Sequence, residues 1–364
     1  MIEQGGEQSE KRQMIKYNIP TIGQGCCVEQ LIYQNLERHR ILFDCGSDDI
    51  NALKGYIDTL DTSISTTLVI SHLHEDHING IPYLFEHFKK SKQKEHRKNL
   101  KKIYLPYYCK EMYVLFALRI IAASTDETSA EDENLVNLIK DLERGEINSI
   151  EIIHVSPSEN IEGRRTISHI KPQKITNSTN HVYWTIKFWV DADIYEILTT
   201  SDKEELQKIN DVADYLNKAK DTRKIYDSIA SKDKFNQTSM LMATYLSCAL
   251  PTVICKTLPK LRYCCVADIF TNGFVCTGDY PFNKMKKMEC IQKHYFYENI
   301  QIRQMMVPHH GGENDCKFIP FDFIQKAYAQ TGMKNSHGHP SRVVIDFLEG
   351  LGIEFINKQN TFQA

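Results

Sequence analysis

Apolar and polar positions alternate along the chain in two rhythms, and the points where one gives way to the other carry most of the information. "IPTIGQGCCVEQLIY" (19–33) and "RILFDCG" (40–46) are apolar runs closed by turn residues, which predicts two strands of a meander. "TTLVISHLHEDH" (66–77) runs from an apolar strand straight into a polar cluster. Behind it, "GIPYLFEHFKK" spaces Ile81, Leu84, Phe85 and Phe88 along one face of a helix. Strand, loop and helix in that order put the cluster at the carboxyl end of a strand, where α/β folds build their sites. "YVLFALRIIAAS" (113–124) predicts a buried helix, and "TDETSAEDEN" (125–134) an acidic loop that starts another. Residues 202–235 are charged and helix-forming, and read as an inserted helical excursion. The uncharged run 236–255 is broken by Asn236, Gln237, Thr238, Ser239, Ser247 and Pro251, so it predicts buried strand-like segments rather than a membrane span.

Composition narrows the class without naming a function. The 364 residues are 41% hydrophobic and 25% charged, as in soluble globular proteins, and their formal charge of −3 excludes a global basic field for nucleic acid. Positive charge is instead local: 89–102, "KKSKQKEHRKNLKK", holds eight Lys or Arg against one Glu. Such a run is by default a solvated face, but its place soon after the histidine cluster also suits attraction of a phosphate backbone. Residues 1–14 are polar, with no apolar core of a secretory signal, and are expected to be a flexible tail before a single domain over 15–364. Eleven cysteines, an odd number with no C-x-x-C, suit reduced thiols in the cytoplasm.

The chemistry gathers at three strand ends. His72, His74, Asp76 and His77 form H-x-H-x-D-H. Alternate residues of an extended segment point the same way, so His72 and His74 can hold one ion, while Asp76 and His77 beyond the bend face a second. Imidazole with carboxylate suits Zn²⁺, with Mn²⁺ or Fe²⁺ as alternatives. "GFVCTGDYPF" sets Asp279 after an apolar strand and a tight turn, which suits a carboxylate bridging two ions. "MMVPHHGGEN" adds His309 and His310, again directly after a strand.

With these motifs together, the chain resembles the metallo-β-lactamase fold, an α/β architecture of two mixed sheets flanked by helices in an αββα sandwich. "LFDCG" matches the family's first motif, which implies that Asp44 orients the histidines from behind. Four further stretches resemble the hydrolase domain of ComEC-type competence proteins and their stand-alone relatives. These are "NQTSMLM" with Asn236 and Ser239, "TGDY", "VPHHGG", and "GMKNSHGHPSRVVIDFLEGLG" with Asn335, His339 and Pro340. The resemblance spans about residues 17–352. Three departures stand out. The helical stretch 202–235 is long, Gly312 replaces a small hydroxyl, and the third histidine of the first metal site is open among His154, His169 and His181.

The resemblance implies a two-ion hydrolase. His72, His74 and Asp279 would hold one Zn²⁺, and Asp76, His77, Asp279 and His310 the other, His310 being chosen over His309 by its match to the family's "PGHG". Asp76, His309 and His339 are then the residues expected at the chemistry, His339 reading equally well as a histidine capping the turn before Pro340. Asn236 and Ser239 are expected to tie strands behind the ligands. Phosphodiester cleavage is the main implication, with nucleic acid the first substrate and a cyclic nucleotide, another small phosphodiester or a lactone the alternative. A metal-binding scaffold without turnover is the alternative of another class.

Overall fold

The computed structural model describes residues 14–34, 37–124, 128–147, 149–157, 165–175, 182–248, 273–296, 302–332, 335 and 338–359. Of the expectations above, residues 1–13 of the tail, His181 and the 249–255 part of the uncharged run lie outside these, while Met14 already opens the first strand.

Fourteen described strands form two seven-stranded mixed sheets. The first takes the strands in chain order: β1 (Met14–Asn18), β2 (Val28–Gln34), β3 (Glu37–Phe43), β4 (Ser65–Val69), β5 (Leu100–Pro106), β6 (Glu151–Ser156) and β7 (Thr166–Ser168). β1, β2 and β3 are antiparallel, and from β3 to β7 every pairing is parallel. The second sheet repeats the scheme. β8 (Gln173–Lys174), β9 (Val182–Trp189), β10 (Leu241–Cys248) and β11 (Gly273–Cys276) are antiparallel, then β12 (Ile302–Met306), β13 (Lys326–Thr331) and β14 (Glu354–Gln359) run parallel.

The sheets pack face to face. Tyr104 of β5 meets Phe188 of β9 with ring centroids 4.9 Å apart, Tyr17 stacks on Phe274 at 4.6 Å, and Gln330 of β13 accepts a hydrogen bond from the Cys27 N–H at 3.0 Å. Ile32, Phe43, Leu68, Phe188, Met242 and Phe274 belong to one buried core. A second core lies on the outer face of the second sheet, where Leu241, Val275 and Met305 bury Met288 and Ile291 of one helix and Val344 and Leu348 of another.

Helices close both outer faces, making the αββα sandwich of the metallo-β-lactamase fold. Over the first sheet lie α1 (Ile50–Asp58), the one-turn α2 (Glu75–Ile78), α3 (Ile81–Lys89), α4 (Lys110–Ala123) and α5 (Ala130–Arg144). α4 is apolar nearly all round and buried for most of its length. α5 starts where the acidic loop ends, with Ser129 and Asp132 exchanging a reciprocal capping box and acidic residues at the positive end of the helix dipole. Between β9 and β10 the chain makes α6 (Thr200–Gln207) and α7 (Ala219–Ser228), both packed on α4. α8 (Met285–Phe296) and α9 (Arg342–Gly350) cover the second sheet. Among the described residues no helix is long and apolar enough to cross a membrane.

Candidate metal centre

β3 and β4 are neighbours in a parallel ladder, so their carboxyl ends open at the same edge of the sheet. Asp44 follows β3 and Ser71-His72-Leu73-His74 follow β4. His72 and His74, two residues apart in extended chain, bring their rings to 4.3 Å, and the turn of α2 returns His77 to 4.2 Å from His72. From the second sheet, the Thr277-Gly278 turn after β11 delivers Asp279, and the end of β12 delivers His309 and His310.

The turns are tightly fitted. Gly278 has φ +53°, and a Cβ there would lie 2.7 Å from the Ser71 Cβ, so only glycine passes. His309 and His310 adopt left-handed φ of 45° and 53°, a conformation that non-glycine residues hold only where surrounding contacts enforce it.

Two triads result, each with its ligand atoms within 4.8 Å of one another: His72, His74 and Asp279, then Asp76, His77 and His310. Asp279 lies between them. Its Oδ2 is 3.6 Å from His72 Nε2 and its Oδ1 is 3.2 Å from His77 Nε2. His310 Nε2 is 3.4 Å from Asp76 Oδ2. The donor set fits divalent ions. His72 Nε2 and His77 Nε2 are buried with no hydrogen-bond partner among the described residues, and both face the Asp279 carboxylate. Buried nitrogens are seldom left so, unless something else is meant to meet them.

Electrostatics follow from burial and crowding. Burial, followed by the charges of His77 and His74, holds the His72 pKa well below the ordinary histidine value. Burial with the Arg119 charge beside it pushes His74 down to about 3. For His77 burial works the other way from its neighbours, and Asp279, Asp76 and Asp44 together raise its pKa. Burial also opposes ionisation of Asp279, but His77 and His72 hold it ionised.

Behind the ligands stands a hydrogen-bonded frame. Asp44 accepts from the Ser71 N–H at 2.6 Å, the Ser71 hydroxyl at 2.7 Å and His77 Nδ1 at 2.8 Å. Ser71 Oγ is also 3.0 Å from His72 Nδ1, so one carboxylate and one hydroxyl orient two histidines. Ser239 Oγ accepts from the Asp279 N–H at 3.2 Å, and Asn236 Nδ2 lies 3.2 Å from His309 Nδ1. His309 Nδ1 pairs with Asp315 at 2.6 Å, which leaves its Nε2 toward Asp279 at 3.9 Å. The His339 ring is 5.3 Å from that of His309, and Asn335 hydrogen-bonds the His339 carbonyl. A Cβ at Gly312 would sit 3.2 Å from both His339 Cε1 and Asp315 Oδ2, so a side chain there would make these two give by a few tenths of an ångström.

Neither described candidate for a third histidine reaches the centre. His154 lies beside Tyr107 and Tyr113, and His169 accepts from the Val190 N–H and packs on His294. The guanidinium of Arg119 stands against His74 Nε2 instead. Sequence reasoning missed Arg119, although it is the single charge within "YVLFALRIIAAS" and so a visible anomaly. It also missed Ser71 and Asp315, whose residue types carried no signal alone.

A cavity of about 820 Å³ opens over the triads, with Asp76, Asp279 and His309 on its floor. The excursion between β9 and β10 walls it with Arg223, Tyr226, Phe235 and Asn236, beside Arg119 of α4. Arg223 ties that wall to α4 by donating to the carbonyls of Ala122 and Ser124, each at 2.9 Å.

The basic run 89–102 is elsewhere. β5 is parallel to β4, and Thr66 at the start of β4 pairs with Leu100 and bonds Asn99. The run therefore lies at the amino ends of the strands, about 20 Å along β4 from the histidines at 3.3 Å per residue. It offers no guide rail into this cavity.

A model of the family described as anti-Pycsar protein Apyc1 matches residues 24–214, just over half of the chain. The matched stretch holds Asp44, the histidine cluster and Arg119 and ends within the excursion. The late motifs that resemble ComEC-type hydrolases lie beyond it, and the matching family is not that one. The crystal structure of the metallo-β-lactamase fold protein YhfI from Bacillus subtilis aligns over 94% of this chain and 96% of that one, at 10% identity and a TM-score of 0.38. At that level the likeness carries no argument. No curated protein matches the sequence.

Proposed function

The chain belongs to the anti-Pycsar protein Apyc1 family, and from that premise we propose that it is a metal-dependent phosphodiesterase that opens cyclic nucleotides. The observation that carries the reading is the cavity over the two triads. Its volume of about 820 Å³ suits a single nucleotide, within the several hundred to a thousand cubic ångströms usual for small-ligand sites. Arg119 and Arg223 supply positive charge for a phosphate, while Tyr226 supplies a ring against which a base can lie. A polymer needs an open track, and here the excursion between β9 and β10 stands across one side. With the basic run at the opposite pole, the balance moves from nucleic acid to the cyclic nucleotide.

His72, His74 and Asp279 would hold one divalent ion, and Asp76, His77, Asp279 and His310 a second, with Zn²⁺ the ion that this imidazole and carboxylate set suits best. Bound ions would supply a water deprotonated near neutral pH and polarise the phosphoryl oxygens. The chain's own residues do the rest. Asp44 and Ser71 keep the ligand nitrogens aimed, and Arg119 and Arg223 orient the phosphodiester. As water adds to phosphorus one P–O ester bond breaks, and the departing ribose oxygen takes a proton. His309 is placed to give it, because Asp315 fixes Nδ1 and turns Nε2 toward the centre. His339 stands behind His309, with ring centroids 5.3 Å apart.

Metal-loaded protein offered a panel of cyclic mononucleotides should yield linear nucleoside monophosphates, and Asp279→Asn or a chelator should abolish the reaction. Cleavage of single- or double-stranded DNA or RNA at rates equal to the best cyclic nucleotide would restore the nuclease reading. Lactone opening without phosphodiester cleavage would sink both, and stoichiometric metal with no turnover at all would leave a scaffold.

A further inference from the structure

The inner face of a sheet in a sandwich is normally apolar. At the amino ends of β3, β4 and β5 it is not. His39 pairs with Ser65 in the parallel ladder, Ile41 with Thr67, and Thr67 with Lys102, so these side chains share one face. That face is the inner one, since Tyr104, two residues beyond Lys102, packs on Phe188 of the other sheet. Here the sheets stand apart around a cavity of about 520 Å³, whose far wall is Lys174, Ile175 and Ile186.

The charge of this cavity is one-sided. Arg38, Lys101, Lys102 and Lys174 line it against the single carboxylate of Glu37, in a chain whose formal charge is −3. Arg38 is partly engaged by Asp61 at 3.3 Å, and Lys102 by Glu151 at 3.6 Å. Lys174 lies 4.0 Å over the Tyr183 ring, and Lys101 has no ion pair among the described residues. Ser63, Ser65 and Asn99 add neutral polar groups. The floor is apolar, made by Ile41, Tyr104 and Ile186.

We propose that this cavity is a second binding site, at the pole opposite the metal centre, for a phosphorylated small molecule of the nucleoside monophosphate class. The phosphate meets Lys101, Lys102 and Lys174, and the organic body lies on Ile41, Tyr104 and Ile186. A nucleic acid strand is the weaker fit, because the cations gather around one pocket between the sheets rather than line up along a groove at phosphate spacing. The positive field registers on His39, whose pKa is pushed down to about 4 by burial and the charges of Lys101, Lys102 and Arg40. A bound phosphate offsets that field, so His39 reports occupancy without any involvement in catalysis.

The test is a proton NMR titration of His39, assigned with His39→Gln, in the full chain with and without adenosine monophosphate, inorganic phosphate or a twenty-nucleotide single strand. The expected result is an apparent His39 pKa raised by about one unit or more by the nucleotide. Affinity for it should be about tenfold above that for inorganic phosphate, and should fall about tenfold in Lys101→Glu. Lys101 is exposed, so that variant should keep its fold and its turnover of cyclic nucleotide. A His39 resonance indifferent to the nucleotide overturns the proposal. Equal affinity for inorganic phosphate overturns recognition of the organic body. Tighter binding of the oligonucleotide, with a steep salt dependence, assigns the pole to a polymer instead.

Discussion

Asp44 accepts a hydrogen bond from His77 Nδ1 at 2.8 Å, and this one contact decides which ring nitrogen faces the candidate metal centre. With Nδ1 committed to Asp44, Nε2 is the ring nitrogen that faces Asp279, at 3.2 Å from its Oδ1. Asp44 itself has φ of 57°, a conformation that asparagine also tolerates. Asp44→Asn should therefore fold, yet lose metal affinity by about 10- to 100-fold, as loss of such supporting carboxylates does elsewhere. Competition with a chelator of known affinity, alongside metal content by mass spectrometry, measures it.

The Thr277-Gly278 turn makes a second prediction. Gly278→Ala places a Cβ against Ser71 and imposes a left-handed φ on alanine, a strain on the order of 2 kcal/mol. Because Ser71 and Asp279 are both displaced, the expected outcome is a lowered Tm together with loss of bound metal. A lowered Tm with full metal content would show that the turn relaxes away from the centre.

Tyr226 separates binding from chemistry. It lines the cavity from α7 and belongs to neither triad. Tyr226→Ala should raise KM for a cyclic nucleotide by about tenfold, the equivalent of 1.4 kcal/mol of lost contact. The rate at saturation should change far less. Equal loss in kcat and kcat/KM would place the ring at the transition state instead.

Acid should destabilise the fold through a histidine pair remote from the metal centre. Burial, then Lys187 and His169, lowers His294 to about 3, and burial and Lys187 lower His169 to about 4. The unfolded chain binds these protons near pH 6.5, so between there and about pH 4 it holds more protons than the folded one. Stability is thus full above pH 6.5 and declines as pH falls, by about 1.4 kcal/mol per pH unit for each histidine. Urea melts of the metal-free protein at pH 4.5 to 7 should show a slope to which the pair adds that share beside His39, His72 and His74, and His294→Gln should lower it by about 1.4 kcal/mol per pH unit. A slope unchanged in the variant assigns the acid sensitivity elsewhere.

Much of the centre was legible because its ligands follow apolar strands directly, and strand ends converge in this class of fold. Spacing and order gather His72, His74, Asp76, His77 and Asp279, whereas His310 is told from His309 only by the resemblance to the family's "PGHG". Arg119 and Phe235 were not legible in that way, since their nearness to His74 depends on how α4 and the excursion pack over the first sheet. The basic run shows the opposite error. Closeness in sequence to the histidine cluster suggested closeness in space, but α3 carries the chain back to the far end of the sheet before β5 begins. Direction along a parallel sheet decides the matter, and charge patterning holds no information about direction.

Asp76 and His310, which meet at 3.4 Å, are separated by 234 residues of chain. An ion held between them would act as a rivet through two halves that share no strand, closing a long loop of the chain. Such a clasp strengthens the folded state in proportion to the logarithm of free metal over its dissociation constant. Metal starvation would then silence the protein twice, by emptying the centre and by loosening the body that carries it.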